Sequence, residues 1–314
     1  MLEDLMRKAL NHAVELGASY AEVRGQNYVY ELVRAVNGSV KEFSRTSRSG
    51  IGVRVLLGGR FGFSSTNILR ETEVLKAVEE AAAAAKASDR EVRVASGFRA
   101  EGRVTSPFKE DPVEVPAEEK VEVVLEANKA AMTGSVKSSM TYLGVQRDRR
   151  VVMTSDGAEA EWCVVMTGLL QSSVASDSGV MERVADSRSR VAGWEFIKSS
   201  DWVRFSEEVS SLASEAVKAP SPPAGKLRVI ADPDLIGLIL HEAFGHASEG
   251  DLVGTGNSVL KGRVGEAIAS ESVTIVDDGL IDGGYYVPFD DEGSRKVRTV
   301  VVECGVLKHF LTSR

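Results

Sequence analysis

The stretch YVYELVRAVNGSVKEF, residues 28–43, decides the fold class. Tyr28–Val36 is dense in β-branched and aromatic residues, which suit a pleated, half-buried surface. Asn37-Gly38 is a turn pair, because both residue types reach the left-handed backbone region that a two-residue hairpin needs. Ser39–Phe43 then runs back along the first strand. The pattern repeats downstream: Gly50–Leu57, a turn at Gly58-Gly59, and Arg60–Ser64. Tyr20–Arg24 alternates weakly ahead of both hairpins. Consecutive antiparallel hairpins call for an α+β fold rather than a doubly wound one.

Outward from the hairpins the texture is helical. Leu2, Leu5, Met6, Ala9, Leu10, Ala13, Val14 and Leu16 recur at helical spacing before Gly17, and residues 69–88 are an alanine-rich helix. Residues 89–116, with Pro107, Pro112 and Pro116, predict a loop. A helix over 117–132 follows. Strands are expected at Ser139–Gln146, Arg150–Thr154, Glu159–Ser172 and Met181–Glu195, then a helix over Phe205–Lys218. The proline-rich run 219–225 reads as a linker. Beyond it Leu227–Ala231 predicts a short strand, and Asp232-Pro233 a capped helix start. Further strands are expected at Ser272–Val276, Arg298–Glu303 and Val306–Leu311, the last two joined at Cys304-Gly305. The expected division is three domains, 1–95, 96–220 and 221–314.

Composition excludes several classes. The chain has 314 residues and a net charge of −8. That balance argues against nucleic-acid binding, which needs cations to neutralise phosphates. No run is long and apolar enough to span a bilayer. The N-terminus mixes acids with apolar residues, unlike a signal peptide. Cys163 and Cys304 form no closely spaced pair, so neither a disulfide framework nor a CxxC site is indicated. A reducing cytoplasm is the expected location.

The chemistry concentrates in His241-Glu242-Ala243-Phe244-Gly245-His246. Imidazoles bind zinc as neutral nitrogen donors, and a neighbouring carboxylate can act on metal-activated water. Ligands four apart lie about 40° apart around an α-helix, but ligands five apart lie about 140° apart. A π-type turn of about 4.4 residues returns them to within about 50°. A bulge or helix end is therefore expected at Phe244–Gly245, eased by glycine's missing Cβ. The competing reading is a buried helix whose histidines hydrogen-bond inside the core. Glu249 and Asp251 are either hydrogen-bond partners of the imidazoles or capping and solvated acids. Asp290, Asp291 and Glu292 are either a site wall, with Arg298 as partner, or a solvated turn. His12 and His309 read as ordinary structural histidines, and Cys163 as core.

The segment from Leu240 to Asp251 resembles the signature of the TldD branch of the TldD/PmbA family. So do Phe289-Asp290-Asp291-Glu292-Gly293, the hairpin around Gly305-Val306-Leu307, and the opening Ala18–Arg24. The family was formerly described as modulators of DNA gyrase. The resemblance implies a β-rich C-terminal metallopeptidase domain beginning near residue 221. It also implies zinc ligation by His241 and His246, Glu242 as general base, and hydrolysis of unfolded or extended peptides. A metal-free family subunit, or a second copy, is the implied partner. The family's third ligand is a cysteine near the end of a longer C-terminal domain. No cysteine here matches it, so the resemblance implies a truncated chain with an incomplete site. The alternative is a non-catalytic scaffold or partner subunit. A DNA- or gyrase-binding role is disfavoured by the acidic composition.

Overall fold

The computed structural model describes residues 2–95 and 99–313. The boundary expected between residues 95 and 96 abuts residues outside that set. Helix α1 spans Leu2–Glu15, and strands β1 (Tyr20–Val36) and β2 (Ser39–Leu57) form one long antiparallel ribbon. The segments separated in sequence at Tyr20–Arg24 and Tyr28–Val36 are therefore a single strand. Asn37 and Gly38 both have positive φ, 49° and 77°, as the tight hairpin requires. β3 (Arg60–Thr66) adds to β2, and α2 (Glu71–Ala87) returns across the sheet.

β5 (Val136–Thr154) pairs with β1 along almost its whole length, and β6 (Glu159–Asp177) pairs with β5. One sheet thus runs through both the first and the central segments, in the order β3-β2-β1-β5-β6-β4, with β7 (Val180–Arg190) also on β6. β4 (Glu101–Thr105) lies parallel to β6, inside the stretch expected to be loop. It pairs only with a distant strand, so no local hairpin signal announces it.

All the helices of this part sit on one face. α1 and α2 cover the first half, with Met6, Ala9, Val78 and Ala81 fully buried against Val23 and Val53. An added Cβ at Gly25 would lie 2.6 Å from Met6 Sδ, so glycine there lets α1 approach the sheet. α3 (Ala117–Ala130), α4 (Trp194–Ser199) and α5 (Trp202–Ala216) cover the second half. The strand expected over Met181–Glu195 stops at Arg190, and the chain turns into α4 to bury Trp194. Lys120 is buried beneath this layer, donating to Glu31, which also accepts from Arg45 at 2.6 Å. The opposite face is open except where the C-terminal segment crosses it. Phe289 packs on Trp162, with ring centroids 5.9 Å apart.

After residue 218 the chain changes character. Leu227–Ala231 is not a strand: Leu227, Val229 and Ile230 are exposed and unpaired in any sheet. The apolar pattern was present, but no partner edge lies beside it. α6 (Pro233–Leu240) follows, capped by Asp232, whose carboxylate accepts from Leu235 N–H at 2.8 Å. β8 (Ile275–Asp277), β9 (Thr299–Glu303) and β10 (Val306–Leu307) form a small antiparallel sheet. β10 ends at Leu307, short of the Leu311 expected, and Leu311 pairs instead in an isolated parallel bridge with Glu249. Among the described residues no helix is long and apolar enough to cross a membrane.

Candidate metal centre

α6 runs without interruption into a π-helical turn over His241–Gly245. The His246 N–H donates to His241 C=O, the i to i−5 bond that defines the wider turn. Its direction is set from the other side. Phe244 and Ala247 pack into the C-terminal cluster formed by Leu260, Val301, Val302 and Leu307. With Phe244 turned inward, His241, Glu242 and His246 are left exposed together. The alternative of a buried helix with core-bonded histidines does not hold.

The turn brings the three side chains to one point. A donor atom from each of His241, Glu242 and His246 lies within 4.8 Å of the others. Glu242 Oε2 is 3.8 Å from His246 Nε2. On its other nitrogen, His246 Nδ1 is 2.9 Å from Glu249 Oε1. Glu249 is therefore a partner of an imidazole. Asp251 accepts instead from the backbone N–H of Leu252 at 2.9 Å.

The chain beyond the turn is anchored to the end of the C-terminal sheet region. Gly250 N–H donates to Leu311 C=O at 2.7 Å, and Leu311 N–H donates to Ser248 C=O at 2.9 Å. Ser248 is buried, and its hydroxyl donates to Gly245 C=O at 2.7 Å. These bonds hold the exit of the turn in place.

Two imidazoles and a carboxylate converging in this way fit a zinc ion in donor chemistry. Cys304 is exposed on the β9–β10 turn and is not part of the group.

The remaining candidates sort as follows. Asp290 folds back on its own backbone, its Oδ1 accepting from Glu292 N–H at 2.9 Å and Ser294 N–H at 2.7 Å. Asp291 and Glu292 face the large sheet: Arg54 bonds Glu292, and Arg150 lies 3.5 Å from Asp291. Arginines of β2 and β5 thus fill the role expected of Arg298, which is exposed. His12 is near Glu15 and Glu79, and His309 is exposed. Cys163 is half-buried rather than core, and burial pushes its thiol pKa up.

Three family descriptions match the chain in order. They are PmbA/TldA metallopeptidase domain 1 at residues 21–85, the central domain at 110–218 and the C-terminal domain at 224–314. The chain belongs to the PmbA/TldD metallopeptidase family. Among curated relatives of this family it is 33% identical to a metalloprotease of Methanothermobacter thermautotrophicus, over 96% of this chain and 66% of that one. It is 32% identical to a metalloprotease of Methanocaldococcus jannaschii, over 96% and 67%. It therefore spans about two thirds of their length. A zinc metalloprotease TldD homologue of Saccharolobus solfataricus is 26% identical, over 98% of this chain and 68% of its own. Among solved PmbA/TldD-like structures, a proposed modulator of a DNA gyrase from Thermotoga maritima superposes with a TM-score of 0.82 at 20% identity. That match covers 99% of this chain and 71% of the other. TldE from Thermococcus kodakarensis gives 0.72 at 19% identity, over 98% and 69%.

Proposed function

We propose that this chain is a zinc-dependent peptidase subunit acting on unfolded or extended peptides. The observation that carries the reading is the π-turn bond from His246 N–H to His241 C=O, which gathers both imidazoles beside Glu242. His241 and His246 hold the ion. Glu249 fixes the His246 ring through Nδ1 and leaves Nε2 free to ligate. Zinc, when bound, supplies Lewis acidity that makes water easier to deprotonate and a peptide carbonyl more electrophilic. Glu242 takes the proton from the attacking water and returns it to the departing amine. Family resemblance supplies a cysteine as third ligand, and no residue of this chain is assigned to that position.

The shared fold with TldE supports a partner subunit of the same family, which the family resemblance makes metal-free, with a second copy as the other arrangement. The two free cysteines suit a cytoplasmic location. The competing role is a non-catalytic scaffold subunit.

Metal analysis paired with cleavage of an unstructured fluorogenic peptide tests the proposal. Zinc should copurify, Glu242→Gln should keep zinc and lose cleavage, and His241→Ala should lose zinc. Unchanged cleavage by Glu242→Gln would remove that residue from the chemistry. Absence of both zinc and cleavage in the wild-type chain would favour the scaffold role.

A further inference from the structure

On the open face of the large sheet the register places Gln26 opposite Gly50 and Arg24 opposite Gly52. Gly52 in turn faces Ser65 of β3. Two successive positions of β2 on this face therefore carry no side chain; the Phe63 ring of β3 lies against Gly52, and a cavity opens alongside. It is a cavity of about 440 Å³, and three arginines are among the residues that line it: Arg24, Arg48 and Arg150. Ser49, Ser65, Thr66 and Asn67 add hydroxyl and amide groups to the wall.

The ion pairs do not use every guanidinium nitrogen of these arginines, and Arg24 Nε is buried without a partner among the described residues. Arg24 is bonded to the buried carboxylate of Glu22. Arg150 spends Nε and Nη2 on Asp148, both at 2.9 Å, while its Nη1 has only Asp291 at 3.5 Å. Arg48 is exposed and has no acid partner among the described residues. Asp291 is the one carboxylate on the lining, against three cations. Glu22 and Asp148 offset Arg24 and Arg150 from beside the cavity, so the charge left over at its wall is that of Arg48. Guanidinium forks match the planar geometry of carboxylate and phosphate oxygens.

We propose that this cavity is an anion site that receives a carboxylate or phosphate group between Arg24, Arg48 and Arg150. The C-terminal carboxylate of a peptide is the source to which the chemistry of the chain points, and that clause rests on the peptidase reading. Asp291 holds the place of the ligand at Arg150 and gives it up when an anion enters.

Chemical-shift titration of the metal-free chain tests this without reading activity. The probes are inorganic phosphate, N-acetyl-dialanine with a free carboxylate, and the same dipeptide as its amide. The free acid should bind and the amide should not. Arg48→Gln should weaken binding about tenfold, the scale of one charged hydrogen bond, with an unchanged melting temperature. Asp291→Asn should tighten it by removing the competing carboxylate. Phosphate binding without acid binding would keep the site and overturn the peptide source. No binding of either anion, or equal binding by Arg48→Gln, would overturn the site. Because Glu242 plays no part in these titrations, a failed peptidase assay leaves their outcome untouched.

Discussion

The imidazole rings of His241 and His246 lie 4.7 Å apart between centroids and are inclined at 71°, with four residues between them in the chain. A straight α-helix cannot produce that approach at this spacing. The wider turn does, and it is fixed by Phe244 packing inward and by the bonds that tie Ser248 and Gly250 to Leu311.

Gly245 is less essential to this turn than its sequence position implies. Its φ is −53°, ordinary for any residue, and an added Cβ would meet only Leu240 O, at 3.4 Å. Gly245→Ala should therefore keep the turn and gain up to about 1 kcal/mol from helix propensity. Chemical denaturation and zinc content should both hold or rise; loss of either would mean that glycine is required.

Glu249 should matter more than its exposed position implies. Its carboxylate accepts from, or shares a proton with, His246 Nδ1 at 2.9 Å, fixing the ring that presents Nε2. Glu249→Ala should weaken zinc binding about 10–100-fold, while Asp251→Ala, whose carboxylate serves only Leu252 N–H here, should change it little. Competition with a chromogenic chelator measures both. Equal losses would assign the two acids the same role.

These contrasts show which parts were legible in sequence. Asn37-Gly38 announced its hairpin because its signal is local: two residues that tolerate positive φ. The π turn was legible because His241 and His246 stand five apart and must converge to share an ion. β4 and α4 were not, since one pairs only with distant β6 and the other exists to bury Trp194. Leu227–Ala231 misled for the opposite reason: it has apolar residues but no neighbouring strand. The anion cavity was hidden because sheet register, not sequence spacing, brings Arg24, Arg48 and Arg150 together.

Cys304 occupies the first position of the β9–β10 turn with φ 47°, followed by Gly305 at 78°. Asparagine tolerates this conformation better than cysteine. Cys304→Asn should stabilise the fold by roughly 0.5–1 kcal/mol, seen as a higher denaturation midpoint. The same exposed thiol should react first with an alkylating reagent at neutral pH. Cys163 should lag, because burial raises its pKa and lowers its thiolate fraction. Equal labelling rates, followed by mass spectrometry, would contradict the burial of Cys163.

Acid should loosen the contact between α1 and the sheet. The hydrogen bond from Arg149 holds the Glu3 carboxyl below the usual carboxylate range. A depressed folded-state pKa gives stability that is complete above the unfolded value, about 4.3, and is lost as pH falls through the folded one. Glu3→Gln should thus lower the urea midpoint at pH 7 and lose that difference as pH falls through the lowered folded-state value. A difference that persisted in acid would point to packing rather than charge.

Lys120 and Glu31 test whether a buried ion pair holds this sheet together or only spares it an isolated charge. Both are almost fully buried, and Glu31 also accepts from half-exposed Arg45 at 2.6 Å. Lys120→Ala leaves the carboxylate buried with one partner and should cost about 3 kcal/mol. The double change Lys120→Met with Glu31→Leu removes both charges, keeps the volume, and leaves half-exposed Arg45 to water and the Val113 carbonyl. It should recover most of that loss, because apolar replacement of a buried pair is commonly neutral or stabilising. Urea denaturation of the three proteins decides the matter. A double variant as unstable as the single one would mean that the Glu31 carboxylate, through Arg45, contributes stability in its own right.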